Sequence, residues 1–124
     1  PGSWASRGEA VCKRVYGSAY PSLRTNIAAL RPEMDRWMVR EGYGKVLARP
    51  GLALWRRECC IVSLLAVLGA APQLRSHLRG ALRTGASVET LAGVLSMIMP
   101  SVPEPRRGTA LEAWEQVRTR WEQR

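Results

Sequence analysis

The run "IVSLLAVLGAA", residues 61–71, is the feature that most constrains this chain. It is too short to span a bilayer, which takes about 20 consecutive apolar residues, and too apolar to lie on a surface. It reads as the buried part of a helix over about 53–68, apolar nearly all round beyond Cys59 and closed by Gly69. A helix buried in this way needs partners. Helical periodicity recurs in at least five places along the chain, and no convincing strand alternation competes with it.

The first partner covers about 5–16, with Val11, Cys12 and Val15 on one stripe and Gly17 as its stop. The second opens at Pro32 and runs to Gly42, with Met34, Trp37, Met38 and Glu41 at helical spacing. The stretch "GYGKVLARPGL" (42–52), punctuated by Gly and Pro, reads as a loop. Beyond Pro72, Leu74, Leu78, Ala81 and Leu82 form a core stripe, Arg75, Arg79 and Arg83 share the opposite face, and Gly85 closes the helix. Ser87 caps the next helix, with Glu89 in its first turn and Pro100 at its end. In the last helix Thr109-x-x-Glu112 has the form of a capping box. Its seam of Ala110, Trp114, Val117 and Trp121 should pack on the body or on another subunit. The expectation is an all-α, single-domain bundle of about six helices, with an N-terminal helix and extension over 1–20 and the helical domain over 21–124.

Bulk properties narrow the function. A chain of 124 residues, 46% hydrophobic and 23% charged, is globular rather than disordered. A net charge of +9 draws anions, which points to a small anionic substrate, or to nucleic acid or an acidic partner. The arginines are spread along the chain and no nucleic-acid motif accompanies them, so a solvated basic surface is the plainer reading. Three cysteines without framework spacing argue against a disulfide scaffold and for a reducing compartment, the cytoplasm or one such as a mitochondrial matrix. One histidine and no C-x-x-C leave no metal site. The opening "PGSWASRGEA" lacks the apolar core of a signal peptide. Pro1-Gly2-Ser3 is set aside as a cloning scar or a trimmed start.

Three stretches, in order, resemble the carboxymuconolactone decarboxylase family, which includes peroxidases of the alkyl hydroperoxidase D type. "EGYGKVLARPGL" (41–52) looks like the family's G-x-x-W-x-R-P-G-L, with Leu47 in place of the aromatic. "RRECCIVSLLAVLGAAPQLRSHLRGALRTGAS" (56–87) looks like its central helix pair, ending E-L-x-x-H-x-x-x-A-L-x-x-G. "VETLAGVLSMIMPSVPEPRRG" (88–108) looks like the following helix and turn. The resemblance implies an all-α fold and a homo-oligomer, trimeric or hexameric, with sites completed by neighbouring subunits.

It also implies a site. His77, the chain's one histidine, falls on the family histidine, and an imidazole there suits proton transfer near neutral pH. Glu58 falls on an acidic family position and would orient the imidazole or pass it a proton. If helices 53–68 and 72–85 form a simple hairpin, however, the two are offset along the axis by about 9 Å. A direct hydrogen bond would then need tilt, a bridging group or a subunit partner. The peroxidase branch supplies a bridging C-x-x-C, but Ala70 and Gln73 occupy those positions. Ser96 stands where the decarboxylases place a second histidine.

The leading expectation is cofactor-free acid/base chemistry on a small anionic lactone or carbonyl compound. His77 and Glu58 would be catalytic, and Arg49, Arg57 and Ser96 would line the substrate, with Arg75 and Arg79 as further anion-binding candidates. The alternatives are an inactive oligomeric binding or assembly module with a basic surface, and a thiol-dependent peroxidase using Cys59 or Cys60. The plainer reading of both cysteines is small buried helix residues. Met97, Met99 and the tryptophans at 37, 55, 114 and 121 read as core or interface filler.

Overall fold

The computed structural model describes residues 3–124; Pro1 and Gly2, set aside above, lie outside the described residues. The architecture is all-α, with no strand among the described residues. Among the described residues seven α-helices follow in order: α1 (Trp4–Tyr16), α2 (Tyr20–Leu30), α3 (Pro32–Trp37), α4 (Leu54–Leu68), α5 (Ala71–Thr84), α6 (Val88–Ile98) and α7 (Glu104–Glu122). A π-helical segment, Met38–Leu47, continues α3, and short 3₁₀ turns precede α2 and follow α6. The chain forms two compact units, one ending at Leu54 and the other spanning Trp55–Arg124.

In the first unit, α1 begins where the Ser3 hydroxyl oxygen accepts the Ser6 N–H, and it ends at Gly17, whose φ of 57° favours glycine. Cys12 and Val15 are buried on its inner stripe and join Tyr20 and Tyr43 in a small core. The expected loop over 42–52 is instead helical as far as Leu47, and widened: the Ala48 N–H donates to the Tyr43 carbonyl, five residues back, at 2.8 Å. The glycine read as loop punctuation is a contact point. A Cβ on Gly44 would lie 2.0 Å from the Trp4 carbonyl oxygen, and one on Gly8 would lie 1.9 Å from that of Val39. α1 and the π-helical segment therefore cross backbone against backbone, and tertiary packing overrides the local turn preference.

The helix α2 was not anticipated, because it buries only Tyr20 and so carries little periodic signal. Polar contacts hold it instead. Arg24 grips the Asp35 carboxylate with two N–H groups and donates a third bond to the Tyr20 hydroxyl at 2.5 Å. On α3 the face read as apolar turns outward: Trp37 is 61% exposed and Met34 is exposed beside it. The buried positions of α3 and its π-helical continuation are Asp35, Val39, Tyr43 and Gly44.

In the second unit, α4 buries Glu58, Cys59, Val62 and Ala66. It is not buried all round, as the sequence suggested: Leu64 is 63% exposed, and Leu68 and Cys60 are exposed as well. Gly69, at φ 73°, makes the turn to α5. There Arg106 donates to the Val67 carbonyl at 2.7 Å, satisfying an end-of-helix acceptor. Leu74, Leu78, Ala81 and Leu82 on α5 are buried as expected. Ser87 caps α6 by accepting the Thr90 N–H at 3.0 Å.

The last helix starts six residues earlier than the capping box predicts. Glu104 opens it after Pro103, and Thr109 lies exposed within it. Pro105 near its start supplies a preset φ where no N–H is needed. The seam of Ala110, Trp114 and Val117 is buried against the α4–α6 core, with Trp121 at its edge. Met97, read as filler, is exposed.

Candidate functional site: a buried acid–imidazole pair

Two residues of the second unit meet across the chain turn. Glu58 continues the buried stripe Val62–Ala66 toward the start of α4, and all three are fully buried. His77 leaves the Leu74–Leu78–Ala81 stripe of α5 at its border. The Nδ1 of His77 and Oε2 of Glu58 are 2.7 Å apart, with side chains 12% and 0% exposed. The pair therefore meets directly within one chain, without a bridging group or a second subunit.

The axial offset expected from a simple hairpin does not apply, because α4 and α5 are not close antiparallel neighbours. The extensive backbone contact of α5 is with α7. Side chains of an antiparallel pair would also lean apart here, since each leans toward its own helix N-terminus.

Glu58 Oε1 is buried and makes no hydrogen bond among the described residues. An oxygen left so costs about 1–3 kcal/mol. Chemically, the arrangement holds an imidazole in one orientation with a carboxylate behind it, and it keeps most of the pair from water. A carboxylate in this position fixes the orientation of the ring.

The remaining candidates are dispersed. Arg57 is half-buried on α4 beside Glu58, and Arg49 is exposed in the first unit, on the turn after the π-helical segment. Ser96 is exposed on α6 and lines a hollow of about 310 Å³ with Ala92, Leu95, Met99, Leu111 and Trp114, one that neither Glu58 nor His77 lines. Arg75 and Arg79 lie two residues to either side of His77, about 200° around α5 from it, so they face away from the imidazole. Cys59 is buried, and burial, then Cys60 and Glu58, push its thiol above the ordinary range. Cys60 is exposed, which corrects its reading as a buried residue. No group of three or more His, Cys, Asp or Glu among the described residues is arranged to hold a metal ion, and no helix there is long and apolar enough to cross a membrane. The unpartnered Oε1 was beyond sequence reasoning, because no spacing rule reports the second oxygen of a carboxylate.

Comparison with curated proteins gave no match. The model of the carboxymuconolactone decarboxylase family matches residues 32–116, from the start of α3 into α7 and across both the Glu58 and His77 positions. The chain belongs to the carboxymuconolactone decarboxylase family.

Proposed function

We propose that this protein carries out acid/base chemistry on a small anionic lactone or carbonyl compound, with His77 as the proton-transfer group and Glu58 as its positioning partner. The observation that carries this reading is the 2.7 Å Nδ1–Oε2 contact on a fully buried carboxylate. An ionised carboxylate only accepts, so Nδ1 carries the proton and Nε2 holds the lone pair that acts as base. In a decarboxylation the C–C bond to the carboxylate breaks and CO₂ leaves. The electron pair delocalises into the adjacent unsaturated carbonyl; Nε2 takes a proton from solvent water, and the imidazolium so formed gives it to carbon. These steps ask for no cofactor.

Arg57, one residue before Glu58, supplies a guanidinium for the substrate carboxylate, and Ser96 is outside the pair's surroundings. The test is turnover of a panel of carboxylated lactones by the parent and by His77→Asn, whose amide keeps a donor for Glu58 but transfers no proton. Equal turnover would remove the assignment. Arg57→Gln, compared with the parent by KM, tests the clamp.

We also propose that the protein self-associates as a trimer or hexamer. Leu64 and Leu68 on α4 and Met97 on α6 put apolar surface into solvent, and a further copy would cover it. Sedimentation of the parent against Leu64→Glu tests this, and a monomeric parent would refute it. Burial of Cys59 favours the acid/base reading over thiol peroxidase chemistry, since a thiol held protonated is a poor nucleophile.

A further inference from the structure

The corner between α2 and α3 holds a hollow of about 350 Å³ lined by Arg31, Glu33, Met34 and Trp37. Arg31 is the joint between the two helices. Its backbone is extended, its N–H donates to the Ile27 carbonyl at 3.0 Å, and its own carbonyl accepts the Met34 N–H at 3.1 Å. Pro32 follows and stiffens the joint. The Arg24 guanidinium, 2.7 Å from Oδ2 of Asp35, ties α3 to α2 on the inner side. Met34 and Trp37, three residues apart, therefore share the outward face.

The main chain of the hollow is held while two of its side chains are uncommitted. The Arg31 guanidinium makes no hydrogen bond or ion pair among the described residues. The Trp37 indole is open as well, with no cation over it among the described residues. The rings of Trp4, Trp55 and Trp121 each carry one, at 4.2, 5.0 and 4.7 Å from the centroid. Glu33 also lines the hollow, and its Oε1 accepts from Arg36 at 3.4 Å.

We propose that this hollow binds a flat aromatic monocarboxylate, its ring stacked on the Trp37 indole beside the Met34 thioether and its carboxylate gripped by Arg31. An open indole face favours an aromatic ring, and a thioether favours the edge of one. The forked guanidinium matches the two oxygens of a carboxylate. The volume lies near the lower end of small-molecule sites, which suits one ring or two fused ones. One available cation with a carboxylate beside it balances a single negative charge, and it disfavours a phosphate-type polyanion or a nucleic-acid strand.

The lining residues all belong to the first unit and none is part of the acid–imidazole pair, so the site stands or falls independently of the proposed reaction. The test is calorimetric titration of the full chain with naphthoate, beside its neutral counterpart naphthamide. A single saturable naphthoate site is expected, with naphthamide at least tenfold weaker. Arg31→Gln and Trp37→Leu should each weaken naphthoate at least tenfold, while Arg7→Gln on α1 and His77→Asn leave it unchanged. Both Arg31 and Trp37 are exposed, so either variant decides the outcome if the other folds poorly. Absence of saturable binding at millimolar naphthoate, equal binding of naphthamide, or binding that survives Arg31→Gln overturns the proposal. So does binding lost in His77→Asn instead. Trp37-dependent association of the chain with itself or with anionic vesicles, without naphthoate binding, would likewise overturn it.

Discussion

Glu58 Oε2 and His77 Nδ1 lie 2.7 Å apart although 19 residues separate them in the chain. One carboxylate oxygen holds the imidazole while the other is buried without a hydrogen bond among the described residues. The cost of an acceptor in that state is comparable to the net worth of the bond that is made.

Activity should therefore depend on proton transfer rather than on the shape of the pair. His77→Asn is expected to lower turnover by about 10²–10⁴-fold, the usual worth of a positioned general acid or base, with the unfolding midpoint nearly unchanged. Glu58→Gln should lower turnover less and shift the pH profile of kcat, because it removes the charge behind the ring but keeps an acceptor for Nδ1–H. Steady-state kinetics across pH, beside thermal melts, checks both.

Stability should respond in the opposite sense to single and double replacements. His77→Ala strands a buried carboxylate and is expected to cost about 3–5 kcal/mol. Glu58→Leu combined with His77→Leu replaces the pair by apolar groups and should be neutral or stabilising by about 1–4 kcal/mol. Urea unfolding of the four-member cycle decides. A double variant as unstable as His77→Ala would show that the pair is structural.

The two glycines at the crossing of α1 and the π-helical segment leave no room for a methyl group. Gly44→Ala sets a Cβ 2.0 Å from the Trp4 carbonyl oxygen, a backbone atom that cannot rotate away. Overpacking of this kind costs about 1–3 kcal/mol or more. Gly42→Ala, two residues earlier, meets no atom within 4 Å and serves as the control in parallel melts.

Acid should weaken the contact of α2 with α3 in a defined direction. The Arg24 hydrogen bond holds the Asp35 carboxyl below the ordinary aspartate value of 3.8, against an opposing push from burial. A carboxyl depressed in the folded state contributes stability that is fully present above 3.8 and is lost as pH falls through the folded value. Asp35→Asn should therefore be less stable than the parent at neutral pH, with the difference closing below about pH 4. Denaturant melts of both proteins from pH 7 to 2.5 measure it.

Of the three thiols, only Cys60 should react quickly with a disulfide reagent at neutral pH. Cys12 and Cys59 are buried, and burial raises the Cys59 thiol. Cys60→Ser is expected to abolish the fast phase. A fast phase that persists in that variant would bring Cys59 back as a redox residue.

Helix content, the buried stripes of α4 and α5, the cap at Ser87 and the Trp114 seam could all be read in the sequence. Each follows from spacing along one helix, and spacing survives whatever the helix packs against. Misreadings occurred where a partner decided the outcome. Gly44 signals a turn by itself, but α1 pressed against it keeps the backbone helical. α2 shows no stripe because its anchor is the Arg24–Asp35 grip, a contact between two helices. Thr109 and Glu112 fit a capping box, yet Pro103–Pro105 start the helix first. The same division holds at the site. The family pattern was enough to nominate Glu58 and His77. Their direct contact and the stranded Oε1 depend on how α4 and α5 come together. Residue periodicity sets which face a helix buries, whereas the distance and angle between two helices arise only once all their side chains have packed together.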